Sequence, residues 1–192
     1  MAKIGIRLVV VALMAATFIG SGIRRKGLFL TRGDPKATAQ PTPLMGGILK
    51  EPKPWKRVAR EWLPYYVIIL LIVVGLQVRP AMSQIRQALV FLPAIFIAAV
   101  INGFAEEFEF RATLLARLDS AVGPQQAIYL TAALFGIQHY FGSPGGPFGV
   151  LLGAYLGWWA AKSIIETRGL VWAFTLHFLG DFLIYIFWAM AV

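Results

Sequence analysis

Residues 106–111, with the sequence Glu-Glu-Phe-Glu-Phe-Arg, combine reactive side chains with an apolar setting. Three carboxylates and one guanidinium directly follow the almost uncharged stretch 88–105. A charged residue near the centre of a bilayer costs roughly 2.5–3.5 kcal/mol on insertion scales, so ionisable residues kept there usually have a function. The alternative is a membrane helix that ends at Glu106, with its charges among the lipid headgroups. The cluster predicts an intramembrane site or an interfacial helix end.

Three further residues could share chemistry with this cluster. The chain has two histidines, His139 and His177, and Asp181 follows His177 by four residues. Residues spaced i,i+4 on a helix lie on one face, so His177 and Asp181 would act together. The chain has no cysteine, which excludes disulfides, thiol nucleophiles and Cys-ligated metals.

The composition predicts an all-α membrane protein. Hydrophobic residues make up 58% of the 192 residues and charged residues 14%, whereas soluble domains are about 25% charged. No apolar stretch alternates like a barrel strand, and several approach the ~20 residues that a spanning helix needs. We expect a multi-pass bundle of about six transmembrane helices, with spans near 4–20, 62–78, 88–118, 124–141, 148–166 and 170–190.

Counting along the predicted helices brings the reactive residues to similar depths. A helix rises about 1.5 Å per residue, so Glu106 lies roughly 20 Å from the turn that follows its helix. His139 lies roughly 22 Å from the same side, and His177 and Asp181 roughly 12 and 18 Å. Three helices would then meet at one polar site inside the membrane. For this, the third span must continue as helix through the glutamates to Leu118.

A basic loop predicts the orientation in the membrane. Residues 1–61 contain twelve Lys and Arg against three Asp and Glu, and most of these charges lie in the loop 21–61. Its proline and glycine residues, among them Gly46 and Gly47, argue against one continuous helix. By the positive-inside rule this loop is cytoplasmic, where it would also lie against anionic headgroups. The charge thus indicates a membrane surface and no nucleic-acid partner.

The uneven charge divides the chain into two regions. We expect an N-terminal transmembrane helix plus the basic cytoplasmic loop over 1–61, and a helical core over 62–192, in the cell membrane. Residues 4–20 also have the basic start and apolar run of a signal peptide. Cleavage would export the basic loop against the positive-inside rule, so a retained first helix fits better.

Three motifs follow in order along the chain: Glu106-Glu107-x-x-x-Arg111, Phe135-x-x-x-His139 and His177-x-x-x-Asp181. Together they resemble the signature of the CPBP intramembrane proteases, which include the CAAX prenyl endopeptidases and the bacterial abortive-infection proteins. The resemblance covers about residues 88–190. The last position is Asn or Asp across the family, and Asp181 departs from the Asn of the prenyl-protease branch. The resemblance implies an intramembrane endopeptidase acting on prenylated or membrane-embedded peptides.

Amide hydrolysis needs an activated water, a proton acceptor and a donor to the oxyanion. We assign Glu106 as the general base, with His139 orienting or activating the same water. His177 would donate to the oxyanion at the scissile carbonyl. Asp181 would orient His177 or, when protonated, donate a hydrogen bond itself.

Glu107 and Arg111 are spaced i,i+4, and we assign this pair to structural support. A divalent metal is the open alternative at the site, because Glu106, His139 and His177 are ligand types of catalytic zinc. We favour the metal-free mechanism, since metal-bound histidines usually have a second hydrogen-bond partner and such partners are hard to find in so apolar a chain.

Two other classes of function fit the same residues. A non-catalytic immunity or scaffold protein of the same fold would keep the polar cluster for structure or binding. A proton-coupled transporter would use buried Glu, His and Asp as a relay, although transporters usually show internal repeats and this sequence shows none. The intact set of ionisable residues argues against a decayed site but not against a binding role.

Overall fold

The computed structural model describes residues 2–45 and 49–191 and is almost entirely helical. The helices of this part of the chain are α1 (Ala2–Gly20), α2 (Trp55–Val78), α3 (Ile85–Glu107), α4 (Ala116–Val122), α5 (Pro124–Gln138), α6 (Gly146–Thr167) and α7 (Val171–Ala189). Two short strands, β1 (Thr38–Ala39) and β2 (Lys53–Pro54), pair antiparallel in the loop after α1. Gly46 and Gly47 lie outside the described residues. The predicted all-α class is confirmed.

In the described chain, four helical segments are long and apolar enough to cross a membrane: Trp55–Val78, Met82–Val122, Gly146–Thr167 and Val171–Ala189. The two other predicted spans correspond to shorter helices, since the apolar part of α1 covers Gly5–Gly20 and α5 has 15 residues. The spanning helices expose apolar side chains, which suits contact with lipid because their backbone polar groups are satisfied within each helix. The protein is therefore a membrane protein.

The third predicted span continues as helix through the glutamate cluster and past Leu118, as far as Val122. Its middle differs from the expected α-helix, because the segment Phe108–Leu115 between α3 and α4 is π-helical. A π-helix closes i→i+5 hydrogen bonds, is rare and is frequent at functional sites. The wider turns begin directly after Glu107, so they set how the next charged residues face the neighbouring helices.

Glycines allow α5 and α6 to pack closely beside the reactive residues. A Cβ atom on Gly136 of α5 would lie 2.6 Å from the carbonyl oxygen of Val150. A Cβ atom on Gly153 of α6 would lie 2.9 Å from Cγ of His139. Small residues at a helix–helix contact let the two backbones approach each other closely in membranes. The α5–α6 contact therefore fixes the position of His139.

The loop between α1 and α2 folds back onto the end of α6. The indole N–H of Trp55 donates to Glu166 at 2.8 Å, and the buried Lys162 forms an ion pair with the same carboxylate. The backbone N–H of Asp34 donates to the carbonyl of Thr167 at 2.8 Å. These contacts bring the start of α2 and the end of α6 to the same end of the bundle.

Candidate active site

Glu106 is a buried carboxylate one residue before the end of α3, and polar groups from three other segments converge on it. Its Oε2 atom lies 3.4 Å from Nε2 of His177 and accepts a long hydrogen bond from Gln138 at 3.5 Å. Its Oε1 atom accepts from the amide of Asn102 at 3.2 Å and forms an ion pair with Arg7. Glu106 is 7% exposed, so these partners replace the water that it loses on burial.

His177 lies between three carboxylates. Its Nδ1 atom lies 2.9 Å from Oε1 of Glu107, and because an ionised carboxylate only accepts, Nδ1 carries the proton and donates. Its Nε2 atom faces Glu106 and lies 3.8 Å from Oδ2 of Asp181. The Nδ1 contact fixes the ring plane and leaves Nε2 toward the other two carboxylates.

Glu107 and Arg111 form the buried pair that supports this histidine. Arg111 Nη1 lies 3.4 Å from Glu107 Oε1, and both side chains are 1% exposed. The guanidinium also lies 4.1 Å from the ring centroid of Phe135, a cation–π contact that strengthens when the charge is desolvated. Among the described residues, Oε2 of Glu107 has no hydrogen-bond partner. The pair is held mainly by charge and packing.

His139 lies directly after α5, at the start of a short 3₁₀ turn over His139–Phe141. Its Nδ1 atom lies 2.7 Å from the carbonyl oxygen of Phe135, and because a carbonyl only accepts, Nδ1–H is the donor. The Phe135 ring packs against both histidines, with its centroid 4.5 Å from that of His139 and 5.6 Å from that of His177. Nε2 of His139 is then the nitrogen that remains for chemistry.

Asp181 lies one turn after His177 on α7. Its Oδ2 atom accepts from the amide of Asn102 at 2.9 Å. Asn102 therefore bridges Asp181 and Glu106 and sets the distance between α7 and α3. The hydrogen bond that orients the His177 ring comes from Glu107, whereas Asp181 faces Nε2 from the side.

An apolar cavity of about 200 Å³ reaches these residues from between α2, α6 and α7. Its lining is mainly aromatic and aliphatic, with Trp62, Tyr66 and Trp159 among the large side chains, and it includes His139, His177 and Asp181. Ligand sites are typically apolar hollows with a few convergent polar groups. Both histidines and one carboxylate therefore meet a space suited to an apolar ligand.

A comparison with protein families gives a direct assignment. A family model described as type II CAAX prenyl endopeptidase Rce1-like matches residues 88–183, half of the chain. The chain belongs to the Rce1-like family. This confirms the predicted resemblance to the CAAX proteases and supports a CAAX-type intramembrane endopeptidase. Comparisons with curated proteins and with solved structures gave no match.

The match of the Rce1-like family model contains every residue that the sequence singled out for the site. The structure places Glu106 and Asp181 each within 4 Å of Nε2 of His177. His139 joins them at the cavity and through the Phe135 ring. The catalytic roles of the four residues remain predictions at this point.

Zinc held by Glu106, His139 and His177 stays a prediction. Within residues 2–45 and 49–191, no three His, Asp or Glu side chains converge where they could hold one metal ion. The expectation that the histidines lack second partners is wrong, however. Nδ1 of His139 has a backbone carbonyl, and Nδ1 of His177 has Glu107. The backbone carbonyl could not be identified from residue types.

Sequence reasoning missed Arg7, Asn102 and Gln138. Arg7 lies thirteen residues before Gly20, the end of α1, which is roughly 20 Å of helix and matches the depth predicted for Glu106. Asn102 lies four residues before Glu106 and therefore on the same face of α3. Both could have been found by searching each predicted helix for polar residues at that depth and on that face.

Proposed function

We propose that this protein is an intramembrane endopeptidase that hydrolyses a peptide bond with water activated by Glu106 and His139. The observation that carries the proposal is the contact between the buried Glu106 and His177 at 3.4 Å, beside an apolar cavity. A buried carboxylate with two histidines beside it can accept the proton of a water held at this site, which is what general-base hydrolysis requires.

Glu106 takes the proton from the attacking water through Oε2, because Oε1 is occupied by Arg7 and Asn102. His139 assists through Nε2, which is unprotonated when Nδ1–H donates to Phe135. The water oxygen bonds to the scissile carbonyl carbon as its proton moves to Glu106. Glu106 then returns the proton to the departing amine when the carbon–nitrogen bond breaks.

His177 stabilises the oxyanion that forms in this step. Its Nδ1–H donates to Glu107 at 2.9 Å, so the imidazolium form leaves an Nε2–H for the substrate oxygen. The carboxylates of Glu106, Glu107 and Asp181 lie around the ring as charge partners of the imidazolium. Asp181 lies one turn after His177 and supports it from that side. The Glu107–Arg111 pair supports the opposite nitrogen of the His177 ring.

The substrate class follows from the cavity. Its apolar, aromatic lining suits an isoprenyl chain or a membrane-embedded peptide segment, placed so that the scissile bond reaches His139 and His177. The proposed partners are therefore the lipid bilayer and a lipid-modified or membrane-anchored peptide. The family description of a CAAX prenyl endopeptidase supports the prenylated alternative.

We place the protein in the cell membrane with the loop 21–61 on the cytoplasmic side. Arg24, Arg25 and Lys26 are exposed at the end of α1, where positive charge favours the cytoplasmic face. Peptides carrying a C-terminal lipid would meet the bundle from this side. The core over 62–192 would supply the catalytic residues.

The test is a cleavage assay on purified protein with a prenylated CAAX peptide and the same peptide without its prenyl group. We expect cleavage of the prenylated peptide and a much lower rate for the unmodified one, because only the former fills the apolar cavity. Equal rates would contradict the assignment of the cavity to the lipid. No cleavage of either peptide, or of a library of membrane-embedded peptides, would contradict the peptidase.

A further inference from the structure

Arg7 reaches the reactive carboxylates from outside the region that the family model matches. The match begins at residue 88, whereas Arg7 lies in the first half of α1. This helix docks on the bundle through one stripe, since Val11, Met14, Ala15 and Phe18 are its residues that pack against the core. Arg7 precedes Val11 by one turn and therefore continues this stripe toward the site.

The guanidinium of Arg7 has three acidic or polar contacts. Nη1 forms the ion pair with Oε1 of Glu106 and donates to Oδ1 of Asn102 at 2.7 Å. Nε lies 3.6 Å from Oε2 of Glu109. The Arg7 side chain is 29% exposed, whereas that of Glu106 is 9% exposed. One cation thus faces Glu106 and Glu109, the two carboxylates of the 106–111 cluster that lack the Arg111 contact.

We infer that Arg7 is a positioning residue of the catalytic centre, so that α1 completes the site. This inference rests on the proposed peptidase function. Arg7 and Asn102 hold Oε1, and this leaves Oε2 directed at Gln138 and His177, where the water must lie. A charge partner also offsets the burial of an ionised base in an apolar bundle.

The position of α1 allows Arg7 to orient Glu106 without blocking the substrate cavity. Within the described chain, no residue of α1 lines the apolar cavity. Arg7 therefore approaches Glu106 without occupying the space assigned to the substrate. It contacts Oε1 and leaves the His177 side of the carboxylate open.

The first test compares Arg7→Gln and Arg7→Lys with Arg24→Gln, which removes the same charge from an exposed position. In Arg7→Gln we expect kcat on the prenylated peptide to fall roughly 10- to 100-fold with little change in KM, part of the ~100- to 10,000-fold that a positioned general base supplies. Arg7→Lys should recover much of kcat, and Arg24→Gln should match wild type. Unchanged or raised kcat in Arg7→Gln would overturn the inference.

A second measurement tests the contact between Arg7 and Glu106 without an activity assay. Thermal unfolding midpoints of Arg7→Gln, Glu106→Gln and the double variant form a double-mutant cycle. If the two side chains pair, the double variant should lose less than the sum of the two single losses. Strictly additive losses would overturn the contact. A wild-type protein without peptidase activity would overturn the proposed function and the role of Arg7 with it, whereas active wild type with unchanged Arg7→Gln would overturn only the inference.

Discussion

Glu107 joins the structural and the chemical parts of the site in one side chain. Its Oε1 atom accepts from Nδ1 of His177 at 2.9 Å and faces Arg111 Nη1 at 3.4 Å. The guanidinium in turn lies over the Phe135 ring, which packs against both histidines. A change at Arg111 would therefore reach His177 through two routes, the carboxylate and the aromatic ring.

The first prediction concerns this buried pair. Arg111→Ala leaves Glu107 without its cation inside the bundle, and breaking a buried ion pair in this way costs about 3–5 kcal/mol. We expect a marked fall in the thermal unfolding midpoint in detergent, measured by tryptophan fluorescence. The stability loss should be visible whether or not the substrate is known.

Arg86→Ala is the matched control, because Arg86 is an exposed arginine on the same helix, α3. A surface substitution of this kind should stay within about 0.5 kcal/mol of wild type. An Arg111→Ala protein as stable as Arg86→Ala would place Glu107 and Arg111 in a hydrated interface rather than in the bundle.

At the scale of elements, the α5–α6 contact positions His139. A Cβ atom on Gly153 would lie 2.9 Å from Cγ and 3.1 Å from Nδ1 of His139. We predict that Gly153→Ala displaces this ring and weakens its hydrogen bond to Phe135. A displacement of about 1 Å at a catalytic group can cost ~100-fold in rate, so cleavage of the prenylated peptide should fall to that extent.

Gly75→Ala on α2 provides the comparison, because a Cβ atom there meets nothing within 4 Å. Alanine in a helix interior is favoured over glycine by about 1 kcal/mol, so this variant should be at least as stable as wild type and fully active. Full activity in Gly153→Ala would mean that α6 can shift without moving His139, and that the contact does not position the ring.

The order of helices was predictable from apolar length, but their internal geometry was not. The third span continues to Val122 as the depth estimate required, and Phe108–Leu115 within it is π-helical. Residue types carry little signal for a π-helix, because the choice between i→i+4 and i→i+5 bonds depends on packing against neighbouring helices. The helical geometry of the residues that follow Glu107 could therefore be learned only from the structure.

At the scale of the whole molecule, the predicted orientation puts the loop 21–61 and the turn at 119–123 inside and residues 79–87 outside. Two exposed serines test it, Ser83 and Ser120. Because the chain has no cysteine, single Ser83→Cys and Ser120→Cys variants can be labelled without first replacing native cysteines. In intact cells an impermeant thiol reagent should label Ser83→Cys, and Ser120→Cys should react only after permeabilisation. The reverse pattern would contradict the orientation.

Depth along the predicted helices grouped Glu106, His177 and Asp181, because Met82–Val122 and Val171–Ala189 are each continuous helical segments. The same estimate places Arg7 at this depth, but the predicted division at residue 61 separates α1 from the core. The partner of His139 is a backbone carbonyl, and that of His177 depends on the rotation of α3 against α7. Hydrogen bonds of this kind follow from packing and cannot be inferred from spacing alone.

The central claim is that Glu106 is the base that activates water. The most direct test is kcat/KM of purified Glu106→Gln on the prenylated peptide, beside Glu51→Gln, the same change at an exposed loop position. Glutamine keeps the size of the side chain but cannot take a proton from water. We predict a loss of at least ~100-fold, the low end for a general base, with folding retained and Glu51→Gln unaffected. Wild-type kcat/KM in folded Glu106→Gln would contradict the claim.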